Sequence, residues 1–296
     1  MSLVAPAMLA TAARPKRDPR RFCAETARIA IGCLHTELVL YPKPGLVSLV
    51  DNGSHTDMTA ETFVRSMFAL RHYFARICRA GFDDAPFSIL KQLGIEAEAR
   101  MMRATGGVNT HRGAIFSLGM LCASIGRAHA QGMAPSANGL RAVMLIRWGE
   151  DLAAHTCAAD ATSHGLQAAA MHSAGGAREE GALGLPSVFE VGLPALRRTL
   201  AAGRSMQFAR IDALFELMAH VSDTNVLYRG GALAASTVRQ HAACFIEMGG
   251  TSHPEWRSYA IACHQAFVAE RISPGGAADL LAATCLVHAY LGGITQ

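Results

Sequence analysis

The stretch TGGVNTHRGAIFSLGMLC, residues 105–122, shows the pattern on which the whole chain is organised. A polar segment with three glycines comes first, and the apolar run Ala114–Cys122 follows it directly with the character of a helix. Glycines let backbone amides approach a ligand, and the first turn of a helix offers unpaired N–H groups at the positive end of the helix dipole. The stretch therefore suits a phosphate or another anion, although a plain turn at a helix start would have the same composition.

Several common motifs are missing from the sequence. The P-loop spacing G-x-x-x-x-G-K-[ST] does not occur in this stretch, and no strand-like run precedes the glycines as a dinucleotide fingerprint requires. There is no H-E-x-x-H and no G-x-S-x-G, and the 13 histidines form no zinc pattern. Any active site must therefore be assembled from residues that the fold brings together.

Composition predicts an all-α protein. Of the 296 residues, 51% are hydrophobic and only 6% are aromatic, so the core is built mainly from Ala, Leu, Ile, Val and Met. This favours closely packed helices over a β-sandwich. A chain of this length can form one large core. No uninterrupted apolar run reaches the roughly 18 residues that indicate a membrane span, so no membrane partner is expected.

The net charge of +4 is concentrated at the N-terminus. Five of the 27 basic residues and one of the 23 acidic residues lie within 1–21, so 22 of each sign remain in the rest of the chain. We predict that residues 1–20 form a disordered basic tail and that 21–296 form a single all-α catalytic domain. Because the body is neutral, a nucleic-acid partner is not expected. Eight cysteines without a C-x-x-C pair indicate free thiols in the cytoplasm.

The spacing of apolar residues locates the helices. Apolar positions from Phe22 to Leu38 predict a helix over 21–40. Thr59 can cap a second helix, whose apolar residues recur at i, i+4, i+7, i+11 and i+14 from Phe63 to Ile77. Further helices are predicted at about 86–104, 112–129, 138–158, 187–202, 205–220, 231–248, 254–271 and 276–292.

Polar residues concentrate in the breaks between these helices. Helical bundles often gather their loops and helix ends around one pocket. We therefore predict a multi-helix bundle with the active site formed by Gly-rich inter-helix loops. The breaks lie at 41–47, 51–58, 105–113, 163–165, 175–180, 222–231 and 273–279.

Two carboxylates lie on or beside predicted helices. Glu37 shares a helix face with Ile29 and Cys33, so it must be paired, liganded or shifted in pKa unless the helix end lets it reach solvent. Glu98 lies on the helix face that leads into 105–113, where a plain surface glutamate is the alternative.

Three of the aspartates in the breaks are candidates for the site. Asp57 could bind a metal or cap the helix that follows it. Asp223 and Asn225 offer the hard oxygen ligands that hold Mg²⁺ beside a polyphosphate, or Asp223 caps the next helix. Asp279 follows a bare flank of glycine and alanine that suits close contact with another helix or with a ligand, and it stays an open candidate.

Cationic and imidazole side chains occupy the same breaks. Lys43 stands between two prolines that stiffen its backbone, so it could be aimed at a phosphate or could be exposed in a turn. Arg112 and Arg178 can each donate a fork of hydrogen bonds to a phosphate, although Arg178 could instead pair with Glu180. His55 could supply a proton or a hydrogen bond.

The motifs, taken in order, resemble those of the triphosphoribosyl-dephospho-CoA synthases, which make the prosthetic-group precursor of malonate decarboxylase or citrate lyase. The resemblance extends from about residue 25 to 290. It departs from the family pattern at Ser163, Glu179 and Leu185. The matching runs are Pro42–Val47, Gly53–Met58, Thr105–Ser117, His164–Gly165, Gly176–Arg178, Asp223–Asn225, Arg229–Gly231 and Ser273–Leu281.

The resemblance implies an all-α transferase that moves ribose carbon 1 of ATP to the 2′-hydroxyl of 3′-dephospho-CoA and releases adenine, with Mg²⁺ accompanying the ATP. A downstream transferase and an acyl-carrier subunit would be its partners. The variants Leu46–Ser48 and Asp51–His55 look closer to the malonate decarboxylase branch than to the citrate lyase branch.

Roles follow as hypotheses, because cleavage of an N-glycosidic bond needs an acid near adenine and a base near the acceptor hydroxyl. Glu37 with His55 or His111 is a candidate for the proton transfers. Asp57, Glu98 and Asp223 are the candidates for Mg²⁺. The expected substrate and nucleotide contacts are Lys43, Gly106, Gly107, Asn109, Arg112, His164, Arg178, Asn225 and Arg229.

Two other functions stay open at this point. A metal-dependent ADP-ribosyl-type glycohydrolase would break a ribosyl bond with similar residues but would use water as the acceptor. A non-enzymatic nucleotide-binding partner of an acyl-carrier protein would bind ATP without releasing adenine.

Overall fold

The computed structural model describes residues 18–157 and 176–292, which are helical with no strand among them. A π-helical turn spans Ser187–Gly192, and a 3₁₀ turn spans Gly250–Ser252. The α-helices are α1 Pro19–Val39, α2 Ala60–Leu70, α3 Tyr73–Phe82, α4 Phe87–Ala104, α5 Arg112–Ala130, α6 Ala137–Cys157, α7 Ala177–Ala182, α8 Leu193–Ala201, α9 Met206–His220, α10 Thr224–Glu247, α11 Trp256–Ala269 and α12 Gly275–Leu291.

The first helix begins earlier than predicted. Asp18 is its N-cap and accepts a hydrogen bond from the backbone N–H of Arg20 at 3.0 Å, while Pro19 occupies the first turn, where its missing N–H carries no penalty. Helix α1 therefore begins at Pro19, two residues before the predicted start at 21. The rest of the predicted tail, 1–17, lies outside the described residues.

One predicted helix is two in the structure. Thr59 caps α2 through a capping box with Thr62, as the sequence predicted. The apolar pattern continues to Ile77, but the helix ends at Leu70 and a new one starts at Tyr73. Neither a proline nor a glycine lies at this break, and the two helices pack on different neighbours: α2 on α4, and α3 on α5. Tertiary packing therefore decides the break.

Helix α10 begins seven residues before the predicted start at 231. Its capping residue Asp223 accepts hydrogen bonds from the first-turn N–H groups, so the segment predicted as a loop is helical. A kink remains where the break was expected, because Gly231 has φ 64° and ψ −161°, which only glycine adopts easily. Helix α7 was not predicted at all.

Helices α3 and α5 cross at very short distance in the core. A Cβ atom at Gly81 would lie 2.0 Å from the carbonyl oxygen of Ala123, and one at Gly126 would lie 2.0 Å from that of Cys78. Nearby, the Tyr73 hydroxyl donates to the carbonyl of Ile115 at 2.9 Å. This crossing fixes α5, whose first turn lies against α12 where Gly113 meets Asp279.

Helix α12 packs on helices from both the N-terminal and the C-terminal parts of the chain. It packs on α1, α5 and α9, and its central turns are buried on every side. The end of α1 and the starts of α5, α10 and α12 therefore open on one cavity. No described helix is long and apolar enough to cross a membrane.

Candidate active site

A cavity of about 1510 Å³ lies between these helix ends. Most of the predicted site residues line it, although they come from distant parts of the sequence. Gly106 and His111 are not on its wall, and His164 lies outside the described residues. The predicted residues on the wall are Glu37, Lys43, His55, Asp57, Glu98, Gly107, Asn109, Arg112, Arg178, Asp223, Asn225 and Arg229.

Glu37 and Lys43 form a buried ion pair at the end of α1. The Lys43 ammonium donates to Glu37 Oε1 at 2.5 Å and to the backbone carbonyl of Glu37 at 2.8 Å. Burial lowers the pKa of Lys43, which is 1% exposed, and the Glu37 carboxylate opposes that shift. Neither the exposed-turn interpretation of Lys43 nor the solvent-reaching interpretation of Glu37 holds, because both side chains are buried.

His264 supports the loop that carries Lys43, and sequence reasoning missed it. Its Nδ1 lies 3.3 Å from the backbone N–H of Gly45 and 3.2 Å from the carbonyl oxygen of Lys43. Its Nε2 lies 3.2 Å from Asp51 Oδ1. A single buried ring on α11 thus connects two loops of the site, and no local motif marks it.

His55 lies between α10 and α12 with both ring nitrogens engaged. Arg229 donates to Nδ1 at 3.2 Å, and Nε2 lies 2.8 Å from the Ser273 hydroxyl. Burial and the Arg229 charge lower the pKa of His55, while Asp57, whose Oδ1 is 3.6 Å from Nδ1, opposes the shift. Because Nδ1 accepts a hydrogen bond, the neutral ring carries its proton on Nε2 and donates it to Ser273.

His111 lies behind the cavity wall. Its Nδ1 is 2.6 Å from the Ser66 hydroxyl, and the edge of its ring packs on Phe63. Burial, with a smaller contribution from the Lys43 charge, lowers the pKa of His111 to about 3. Its Nε2 is buried and has no hydrogen-bond partner within the described ranges. The ring is therefore neutral and does not reach the cavity in this state.

The glycine-rich stretch that ends at Arg112 serves first as a helix connection. Gly106 and Gly107, at φ 67° and 89°, end α4, and the N–H of Gly107 donates to the carbonyl of Met102 at 2.8 Å. Asn109 accepts from the N–H of Arg112 at 3.2 Å, at the start of α5. Space is open around both glycines, so a ligand could approach Gly107 on the cavity side.

Arg112 forms an ion pair with Glu98 across the connection between α4 and α5. Its Nε donates to Glu98 Oε1 at 2.6 Å, and both side chains are partly exposed to the cavity. Arg178, in α7, donates to the carbonyl of His155 at 3.2 Å. Glu180 instead holds Ser187, whose hydroxyl donates to its Oε1 at 2.5 Å.

Asp223 connects the starts of α10 and α12. Its Oδ1 accepts from the N–H groups of Asn225 and Val226 at 2.8 and 3.4 Å. Its Oδ2 accepts from those of Gly276 and Ala277 at 2.7 and 3.3 Å. Burial raises the pKa of Asp223, and these four hydrogen bonds oppose the shift. The helix-capping alternative is confirmed, and it applies to two helices at once.

Asp279 is a further carboxyl on the cavity wall, in the first turns of α12. Burial and the nearby Glu37 and Asp223 carboxylates raise its pKa well above the ordinary value. The sequence left it as an open candidate beside the bare flank. Among residues 18–157 and 176–292, no group of three or more His, Cys, Asp or Glu side chains is arranged to hold a metal ion by itself.

Comparison with known proteins identifies the family of this chain. The family model of the ATP:dephospho-CoA triphosphoribosyl transferases matches residues 23–294. A 2-(5″-triphosphoribosyl)-3′-dephosphocoenzyme-A synthase from Pectobacterium atrosepticum is 37% identical over 266 residues, covering 87% of this chain and 86% of the relative. No solved structure matches the chain.

Two further relatives carry the same name with the prefix "Probable". One from Pseudomonas putida is 39% identical over 272 residues, covering 88% of this chain and 92% of the relative. One from Acinetobacter calcoaceticus is 37% identical over 256 residues, covering 86% and 87%. These matches confirm the family resemblance that the motifs indicated, and they favour neither branch. The chain belongs to the ATP:dephospho-CoA triphosphoribosyl transferase family, whose members make 2-(5″-triphosphoribosyl)-3′-dephospho-CoA from ATP and dephospho-CoA.

Proposed function

We propose that the cavity binds ATP and 3′-dephospho-CoA together and transfers ribose carbon 1 of ATP to the 2′-hydroxyl of the acceptor, with release of adenine. The observation that carries this proposal is the cavity itself. Its volume of about 1510 Å³ exceeds the roughly 300–1,000 Å³ that encloses one drug-sized ligand. Its wall combines buried carboxyls, suited to a ribosyl cation, with arginines suited to phosphates.

In the proposed reaction, the carboxylate of Glu37 stabilises positive charge on the ribose. The ion pair with Lys43 fixes the position of this buried carboxylate, and an oxocarbenium-like transition state is stabilised by a fixed negative charge in a site of low polarity. His55 would act as a hydrogen-bond donor or acceptor on a substrate once Arg229 or Ser273 releases it. His111 stays a predicted proton carrier that must first reach the cavity.

The triphosphate and the CoA diphosphate need cationic partners. Arg112, Arg178 and Arg229 lie on different parts of the wall, and each can donate a fork of hydrogen bonds to a phosphate. Asn109 and Asn225 are exposed to the cavity beside two of these arginines. Lys43 is paired with Glu37 in this structure, and both Lys43 and His164 stay predicted substrate contacts.

Mg²⁺ is proposed to accompany ATP. This ion is usually held by one or two carboxylates together with substrate phosphates and waters, so a closed protein cluster is not needed. Asp57, which is 54% exposed, and Glu98, which has one oxygen outside its ion pair, fit that requirement. Asp223 stays a predicted ligand, but all its lone-pair directions already accept backbone N–H groups. The ion would shield the triphosphate charge.

We further propose that the product serves a malonate decarboxylase acyl-carrier subunit, through a downstream transferase in the cytoplasm. The support is the sequence of the 46–55 segment, which forms the loop that His264 holds. Expression of the chain in strains that lack the synthase of either pathway tests this branch. Growth restored on citrate alone would contradict it.

The transfer is tested with purified protein, ATP, Mg²⁺ and 3′-dephospho-CoA. We expect adenine and the triphosphoribosyl product in equal amounts, and no adenine when the acceptor is omitted. Adenine release without acceptor would identify a glycohydrolase, and tight ATP binding without any adenine would identify a binding protein. Coenzyme A, whose 3′-phosphate lies beside the acceptor hydroxyl, is the matched control acceptor.

A further inference from the structure

Asp279 is held in place by backbone rather than by a charged partner. A Cβ atom at Gly113 would lie 2.2 Å from Asp279 Oδ2, so the missing side chain in the first turn of α5 leaves room for this carboxyl. The nearby backbone N–H of Ala114 favours the charged form of this carboxyl and so partly opposes the rise in its pKa. The carboxyl therefore sits against α5 at a defined position while remaining on the wall of the cavity.

The electrostatic surroundings of Asp279 differ from those of the other carboxyls in the site. Glu37, Glu98 and Asp223 are each engaged by a cation or by several backbone N–H groups. In the part of the chain that the structure describes, Asp279 has no cationic partner, and its charged neighbours are the carboxylates of Glu37 and Asp223. Such an environment favours the protonated form of the carboxyl over the charged form.

Adenine is a poor leaving group unless a proton reaches its ring as the glycosidic bond breaks, and such a proton transfer is worth about 10²–10⁴-fold in rate. On the basis of the transfer proposed above, we infer that Asp279 is the catalytic acid that donates this proton to adenine. Glu37, whose carboxylate is paired with the Lys43 ammonium, supplies the negative charge that the ribosyl cation requires. The two carboxyls thus have different surroundings and different roles.

The protons and bonds balance over one turnover. The bond between ribose carbon 1 and adenine breaks, adenine takes the electron pair and the Asp279 proton, and the 2′-hydroxyl oxygen of dephospho-CoA forms the new bond to carbon 1. The hydroxyl proton released in that step restores the acid form of Asp279. No oxidant, reductant or further co-reactant is required.

The test compares two donors that differ in their need for an acid. The first is ATP, and the second is a riboside 5-triphosphate with p-nitrophenol as the leaving group, which departs as a stable anion. For Asp279→Asn we expect a loss of kcat of about 10²–10⁴-fold with ATP and a rate within a few-fold of wild type with the p-nitrophenyl donor. Asp212→Asn, which changes a carboxyl held by Thr199 and Thr251 away from the cavity, is the matched control and should leave both rates within a few-fold of wild type.

The possible failures are distinguishable. A wild-type protein that makes no product from ATP and 3′-dephospho-CoA contradicts the proposed function. If the wild-type protein is active but Asp279→Asn reduces the rates with both donors equally, or reduces neither rate, only the inference about Asp279 is overturned.

A second variant displaces the Asp279 carboxyl without changing residue 279 itself. Gly113→Ala places a methyl group where Asp279 Oδ2 now lies, so the carboxyl must turn away while α5 keeps its helix. We expect the same selective loss with ATP, on the order of 10²-fold, because a misplacement of about 1 Å has that effect on catalysis. Gly149→Ala, where the new methyl would meet only Leu145 at 3.8 Å, should be unaffected. Equal ATP turnover by both alanine variants would overturn the inference.

Discussion

At the scale of single residues, His111 couples the stability of this protein to pH. Its folded pKa of about 3 lies far below the value of about 6.5 for an unfolded histidine. A neutral folded ring and a protonated unfolded ring favour unfolding in acid. The contribution of His111 to stability is therefore complete above about pH 6.5 and is lost as the pH falls toward about 3.

We predict that His111 lowers the free energy of unfolding by roughly 2 kcal/mol between pH 7 and pH 5, since each pH unit below its unfolded pKa is worth about 1.4 kcal/mol. Urea unfolding of wild type and His111→Gln at several pH values measures this difference. The variant should have the flatter pH profile.

The control is His72→Gln, which removes an exposed histidine at the start of α3. Its pH profile should run parallel to that of wild type. A His111→Gln profile as steep as wild type would contradict the buried, neutral state of the ring.

The sequence indicated individual residues of the site, but it did not indicate which side chains they pair with or pack against. Glu37 and Lys43 were each singled out, Glu37 by its apolar helix face and Lys43 by its flanking prolines, but their pairing depends on how the chain leaves α1. His55 and His111 were indistinguishable in the sequence. Phe63 and Ser66, from a different helix, decide that His111 is buried. Such long-range contacts have no local signal.

At the scale of helices, Asp223 fixes the angle between α10 and α12 by capping both. We predict that Asp223→Ala lowers the free energy of unfolding by about 1–4 kcal/mol, because each lost N-cap is worth about 0.5–2 kcal/mol. Turnover should fall as well, since Asp279 and Arg229 are carried by the two helices. Thermal and urea unfolding, followed by activity at several Mg²⁺ concentrations, measure both effects.

The Mg²⁺ dependence separates helix capping from metal binding at Asp223. As a helix cap alone, its loss leaves the Mg²⁺ concentration for half-maximal residual activity unchanged. A raised Mg²⁺ requirement with unchanged stability would favour the predicted metal ligand instead. Asp223→Asn, with one carbonyl oxygen left to accept backbone N–H groups, should be intermediate in stability.

The spacing of apolar residues predicted which segments are helical, whereas it often did not predict the residues at which those helices begin and end. Thr59 carries its own capping signal, and the structure confirms it. The break between α2 and α3 has no such signal in the sequence, because it arises where the two helices pack on different neighbours. The start of α10 was placed too late, since Asp223 satisfies both the pattern of a cap and that of a metal ligand.

At the scale of the whole molecule, the size of the cavity leads us to predict how two ligands together affect stability. If ATP and 3′-dephospho-CoA occupy it together, their stabilising effects should add. Each ligand at about 100 times its Kd contributes about 2.7 kcal/mol to the free energy of unfolding. A C-nucleoside analogue of ATP, whose bond between base and sugar cannot be cleaved, allows both to be present without turnover.

The measurement is thermal unfolding with each ligand alone and with both. A combined stabilisation no larger than that of the stronger ligand would show that the two compete for one place, which contradicts the shared cavity. Adenosine, which has no phosphate, is the matched control for the arginine contacts and should stabilise much less than the analogue.

The prediction that the polar breaks gather around one cavity linked the most distant parts of the sequence. It rested on the argument that polar residues not needed as connectors serve one shared site. The close crossing of α3 and α5 has a different consequence. Gly81 and Gly126 leave no room for even a methyl group, so a scan of every substitution would find them as intolerant as the most demanding positions in the cavity. Neither glycine lines the cavity. A map of mutational intolerance would therefore point to two places in this protein, and only one of them performs chemistry.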